Sequence, residues 1–153
     1  MEIKALEGLL LINGTDVWKE YGVFLTEDKE DERSNWDELL KPLTMKSYTE
    51  VNFRELDGVK LPGVLPSPKF EARDFTLYFA MLADGPEQFH ACWQNFFRLL
   101  ASGWLELQVS GLNRNLKVYY KECSGYRQLT NPNGSEEVCA NFKVKFREPE
   151  PTL

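Results

Sequence analysis

One histidine, three cysteines and no excess of positive charge withhold most of the usual reactive chemistry from this chain of 153 residues. The single histidine, His90, is separated from Cys92 by one intervening residue, and no two of Cys92, Cys123 and Cys139 have zinc-knuckle spacing, so no metal site is assigned. An odd number of widely separated cysteines does not close a disulfide framework, and reduced thiols are expected. Neither a G-x-G-x-x-G fingerprint nor a P-loop occurs, and the glycines fall at turn positions. Nucleophilic catalysis would reduce to His90 paired with a remote cysteine or serine, which no spacing supports. A glycosidase-type carboxylate pair stays formally open among the 24 acidic residues, without any pair being singled out. The expectation is a non-enzymatic chain with no catalytic residue, cofactor or metal.

The net charge of −6 argues against a dedicated nucleic-acid binder, which needs clustered Lys and Arg. Much of the acidity lies in Glu27, Asp28, Glu30, Asp31 and Glu32, a run that reads as a solvated loop or helix start, or as a site for a cation or basic partner. No stretch approaches the roughly 20 apolar residues that cross a bilayer. The longest apolar run, residues 9–12, is strand-sized, and the first eight residues lack the basic start of a secretory signal. Synthesis and retention in the cytoplasm are expected.

What the chain does have is core material. It is 42% hydrophobic and 13% aromatic, with 10 Phe, 6 Tyr and 4 Trp, enough for a single domain over residues 1–153 with its core in residues 8–147. Residues 9–12 before Asn13-Gly14 read as a strand entering a tight turn. Thr15 or Asp16 then caps a helical turn through Trp18 and Tyr21, and residues 23–25 form a second short strand. Ser34, Trp36, Leu39 and Leu40 suggest a helix that Pro42 ends. Residues 45–56 and 59–61, around Asp57-Gly58, suggest a hairpin. Pro62, Gly63, Pro66 and Pro68 turn the next stretch into an extended connector carrying Val64 and Leu65.

Strict alternation of Phe75, Leu77, Phe79 and Met81 predicts a strand with one buried face. Asp84-Gly85-Pro86 opens a helix over residues 86–101, whose Phe89, Cys92, Trp93, Phe96, Phe97 and Leu100 form a wide apolar stripe, with Gly103 as its C-cap. Another hairpin follows through Leu105, Leu107 and Val109 and then Leu116, Val118 and Tyr120. The last strand turns Phe142, Val144 and Phe146 inward and Lys143, Lys145 and Arg147 outward. Those cations suit the wet face of an edge strand, a channel wall or a phosphate-facing surface. Residues 148–153 are expected to be a flexible tail. The fold class is α+β: a mostly antiparallel β-barrel or sandwich with one main packed helix.

The order of these elements resembles the N-terminal domain of phage distal tail proteins and, more broadly, the tail-tube type of β-barrel. The resemblance is carried by the opening Leu11-Ile12-Asn13-Gly14, the segment Arg54-Glu55-Leu56-Asp57-Gly58, the strand from Phe75, and the helix leading into Gly103-Trp104-Leu105-Glu106-Leu107. It covers residues 8–147. It implies a structural subunit of a phage or prophage tail, a homo-oligomeric ring around a channel through which DNA passes, other tail or baseplate proteins as partners, and a final place in the virion tail. Contacts between neighbours would fall on the loop over residues 27–41 with Trp36, and on the connector with Leu61, Val64 and Leu65. A different reading is a β-barrel module that binds a small ligand or glycan, with Trp18, Trp36, Trp104 and the tyrosines as stacking platforms.

Overall fold

The computed structural model describes residues 6–27, 33–134 and 136–153; the first five residues and most of the acidic run, 28–32, lie outside them. Strand β1 (Leu10–Ile12) turns through Asn13 and Gly14, with φ of 53° and 80°, into β2 (Thr15–Asp16). This is the two-residue hairpin that Asn-Gly favours, because both central residues take positive φ. Helix α1 (Val17–Tyr21) follows, with the Asp16 carboxylate accepting from the Trp18 N–H at 3.1 Å as its N-cap. Then come β3 (Val23–Leu25), α2 (Ser34–Leu39), β4 (Arg73–Ala83), α3 (Pro86–Leu100), β5 (Leu105–Val109), β6 (Leu116–Gln128) and β7 (Val138–Glu148).

All strand pairs are antiparallel, in the order β2-β1-β5-β6-β7-β4-β3. Chain connectivity shows that this sheet is curled. Seven flat strands would hold their outer two about 29 Å apart at the usual spacing, whereas β2 and β3 are joined only by α1 and Gly22, a link of roughly 15 Å. The two edges must therefore approach each other, and α1 bridges the seam. Strand β6 makes the corner: residues 116–118 pair with β5 and residues 119–128 with β7, with irregularities at Tyr120/Glu122 and Ser124/Arg127. Bulges bend a strand at such corners.

The inward faces of β1, β5, β6, β7 and β4 share one core, which α3 seals. Phe96 is fully buried, with its ring 5.9 Å from Phe79, 6.0 Å from Phe142 and 5.8 Å from Tyr21. The alternation expected for β4 and β7 appears residue for residue: Phe75, Leu77, Phe79 and Met81 are buried opposite Phe146, Val144, Phe142 and Ala140.

Several expectations are corrected. The helix stripe is narrower than its pattern, because Trp93 is 41% exposed and Cys92 and Phe97 are half-buried. The helix ends at Leu100 and is capped by Ala101, whose N–H bonds back to Phe97, and Gly103 lies beyond it in the loop. Strand β7 is flanked by β6 and β4, so Lys143, Lys145 and Arg147 do not sit on an edge. Their charge is engaged locally: Lys143 lies over the Tyr78 ring at 5.3 Å, Lys145 is 3.5 Å from Glu122, and Arg147 is 2.9 Å from Asp74. The expected start of a tail, Glu148, is instead the last residue of β7 and is buried, as is Pro151.

Candidate interaction surfaces

Between α2 and β4 the chain leaves the body. The hairpin expected from residues 45–61 does not form a ladder; only the isolated bridges Met45↔Phe70 and Val51↔Lys60 hold the two limbs together. Their backbone bonds are sparse: Lys46 N–H to the Lys69 carbonyl at 2.8 Å, Glu71 N–H to Thr44 at 2.8 Å, and a reciprocal pair between Val51 and Lys60 at 3.0 and 2.7 Å. Thr, Tyr and Val favour strands only where a packed surface receives their side chains, and here none does. Three prolines over 62–68 also supply no N–H for pairing. The result is an arm over residues 41–72 whose large apolar side chains face solvent. Val64 is 86% exposed, and Phe53, Leu56, Leu61 and Leu65 are all exposed. A segment of this length without its own core is unusual within a compact domain, and clustered exposed apolar side chains mark contact surfaces.

The root of the arm is fixed by charge. Buried Glu148 receives the Arg73 Nε–H at 2.6 Å on one carboxylate oxygen and lies 3.4 Å from Arg114 Nη1 through the other. Arg73 also donates to the Leu39 carbonyl at 3.3 Å and the Lys41 carbonyl at 3.4 Å, and Arg114 donates to Thr152 at 3.0 Å. One carboxylate thus ties the start of β4, the exit from α2 and the C-terminal residues to one point.

Helix α2 substitutes for a missing strand. Strand β3 pairs with residues 79–81 of β4 and then ends, leaving the outer backbone groups of the strand's earlier residues uncovered. Asn35, 4% exposed, accepts the Tyr78 N–H at 2.7 Å and donates to the Thr26 carbonyl at 2.8 Å, and Glu38 accepts the Thr76 N–H at 3.2 Å. Trp36, on the same helix, is half-buried against the core, its ring close to Gly111. Of the four residues named from sequence as a contact surface, the structure places Leu61, Val64 and Leu65 together on the arm and Trp36 in the helix leading into it.

A second surface was not legible in sequence. Trp93 and Tyr126 line an apolar hollow of about 310 Å³ with Phe89, His90, Gln128 and Pro132. Its walls are held: Trp93 lies 4.9 Å from Phe97, Tyr126 is stacked 6.0 Å from Phe142, and the Tyr126 hydroxyl donates to Gln128 at 2.8 Å.

A further cleft of about 420 Å³ has Glu7, Lys19, Glu20, Asp84 and Cys92 on its walls, with Lys19 3.7 Å from Glu7. Cys92 faces this cleft while His90 lines the aromatic hollow, so the sole imidazole and its nearest thiol in sequence open onto different places. Burial pushes the thiols of Cys92, Cys123 and Cys139 above their ordinary values, with a further rise at Cys139 from Glu137. All three are free and half-buried. The tryptophans that a stacking platform would need are dispersed: Trp18 is buried edge-on to Phe24, Trp36 meets Gly111, and Trp104 is exposed beneath Lys117. Among the described residues no group of three or more His, Cys, Asp or Glu is placed to hold a metal ion, and no helix is long and apolar enough to cross a membrane.

No family model matches the chain. No curated protein matches it by sequence. Among solved structures it is similar to the Dit protein of phage SPP1, described as a paradigm of the hub adsorption apparatus in phages that infect Gram-positive bacteria, with a TM-score of 0.54 at 12% identity. The match takes in 91% of this chain and 48% of that protein, so the chain corresponds to about half of its length. The architecture is an α+β antiparallel sheet that resembles a phage tail protein fold.

Proposed function

We propose that this chain is a structural subunit of a phage or prophage tail that assembles with copies of itself, and with other tail or baseplate proteins, through its arm. The observation that carries this reading is the arm over residues 41–72, which exposes Leu61, Val64 and Leu65 instead of folding them onto the body. The likeness in fold to a phage hub protein supports the same reading. Removing such apolar surface from water contributes about 25 cal/mol per Å², and a neighbouring copy is one surface that can supply the cover. A ring with an axial channel follows where the same contact repeats around a closed rotation. The net charge of −6 suits a conduit past which DNA slides without adhering. In this reading Trp36 supports the contact from the helix at the arm's root.

Light scattering across a concentration series tests the proposal. The wild-type chain should show a mass that rises above the monomer, and Val64→Asp with Leu65→Asp should keep the fold and remain monomeric. An unchanged mass for that double variant would remove the arm from the assembly contact.

A further inference from the structure

The arm needs an acceptor, and we infer that it is the hollow formed by Trp93 and Tyr126 on a second copy, into which the proline-bearing stretch over residues 61–68 docks. This rests on the assembly reading above and specifies its partner surface. The two surfaces match in chemistry. Three prolines hold the stretch extended and low in conformational entropy, and rigid aromatic walls are the surfaces on which extended proline-rich segments dock. They also match in charge. Residues 59–70 carry Lys60 and Lys69 and no acid. On the acceptor side, Glu136 and Glu137 line a depression with Asn131, the chain neighbour of the hollow's Pro132.

Within one molecule the surfaces stay apart: Val64 is 86% exposed and Trp93 is 41% exposed, so neither covers the other. Donor and acceptor are different parts of the same chain, which makes the contact head-to-tail, the kind that propagates into a ring or a filament. The walls of the hollow are already ordered by Phe97, Phe142 and Gln128, so docking orders little beyond the arm itself.

The test mixes two full-length variants, each first checked for an unchanged circular dichroism spectrum. Trp93→Glu spoils the acceptor and leaves the arm intact; Val64→Asp with Leu65→Asp does the reverse. Each alone should be monomeric, and a 1:1 mixture should give twice the monomer mass, because one sound arm meets one sound hollow. If Trp93→Glu assembles like wild type while the arm variant does not, or if the mixture stays monomeric, the acceptor assignment is overturned and the arm reading stands. If wild type itself never exceeds the monomer mass, or the arm variant assembles normally, the assembly reading fails and takes this inference with it. A photoreactive phenylalanine at position 64, in a mixture of light and isotopically heavy chains, should cross-link between copies to peptides containing residues 89–93 or 126–132. Cross-links confined to other peptides would overturn the assignment.

Discussion

At the scale of single residues, the side chains that matter most to this fold satisfy backbone groups at awkward places. Asn35 closes the end of the β3–β4 ladder, and Asn35→Ala strands the Tyr78 N–H and the Thr26 carbonyl in a part-buried setting. Leaving a fully buried group unpaired costs about 1–3 kcal/mol, and these are part-buried, so urea unfolding should show a loss toward the lower end of that range. Gly22 is more demanding. It has φ of 65° and its N–H bonds to Trp18 at 3.0 Å, and an added Cβ would collide with the Leu82 carbonyl oxygen. Gly22→Ala should therefore be the more damaging of the two. Asp74 provides a pH signature. Burial raises its pKa, but hydrogen bonds from Lys121 and Arg147 outweigh burial and hold the carboxyl below the ordinary carboxylate value. A depressed acid contributes stability above its unfolded pKa of about 3.9 and loses it as the pH falls through the lower folded value. Asp74→Asn should flatten that part of a stability-versus-pH curve and lower stability at neutral pH.

At the scale of elements, legibility followed whether the pattern's cause was local. Strands β4 and β7 were readable because alternation reports a one-sided burial that every second residue shares, and the Asn13-Gly14 hairpin because its turn chemistry is self-contained. The arm was misread as a paired hairpin because β-branched and aromatic composition indicates a fit to a packed surface, and only a partner can provide that surface. The central position of β7 and the burial of Glu148 were invisible for another reason: Arg73 lies 75 positions away in sequence and Arg114 lies 34 away. Of the contact residues, Leu61, Val64 and Leu65 could be found from apolar side chains set among prolines, whereas the Trp93–Tyr126 hollow joins a helix to a distant strand and left no local trace. Breaking a buried ion pair by removing one partner costs about 3–5 kcal/mol. Glu148→Ala should accordingly lower the melting temperature sharply and loosen the arm's root together with the C-terminal residues.

At the scale of the whole molecule, the body and the arm are energetically separable. The arm contributes almost nothing to the core, so replacing residues 46–69 with a short turn should leave the melting temperature within a few degrees of wild type while abolishing self-association. Trypsin should cut the dilute protein first at Lys46, Arg54 and Lys60, all on the exposed arm, and the same sites should be protected once the arm is covered by a neighbour. Equal cleavage rates at low and high protein concentration would mean that the arm stays bare.

The antiparallel register that joins Arg73 to Glu148 also dictates when folding can finish. Because β7 lies inside the sheet and is the last of its strands to be translated, β4 must wait with its apolar face open while the later helix and hairpin emerge from the ribosome. Such long-separation pairing is slow, so the nascent chain passes through a sticky interval that ends only with β7, and a ribosome stalled before residue 138 would hold a chain inclined to aggregate.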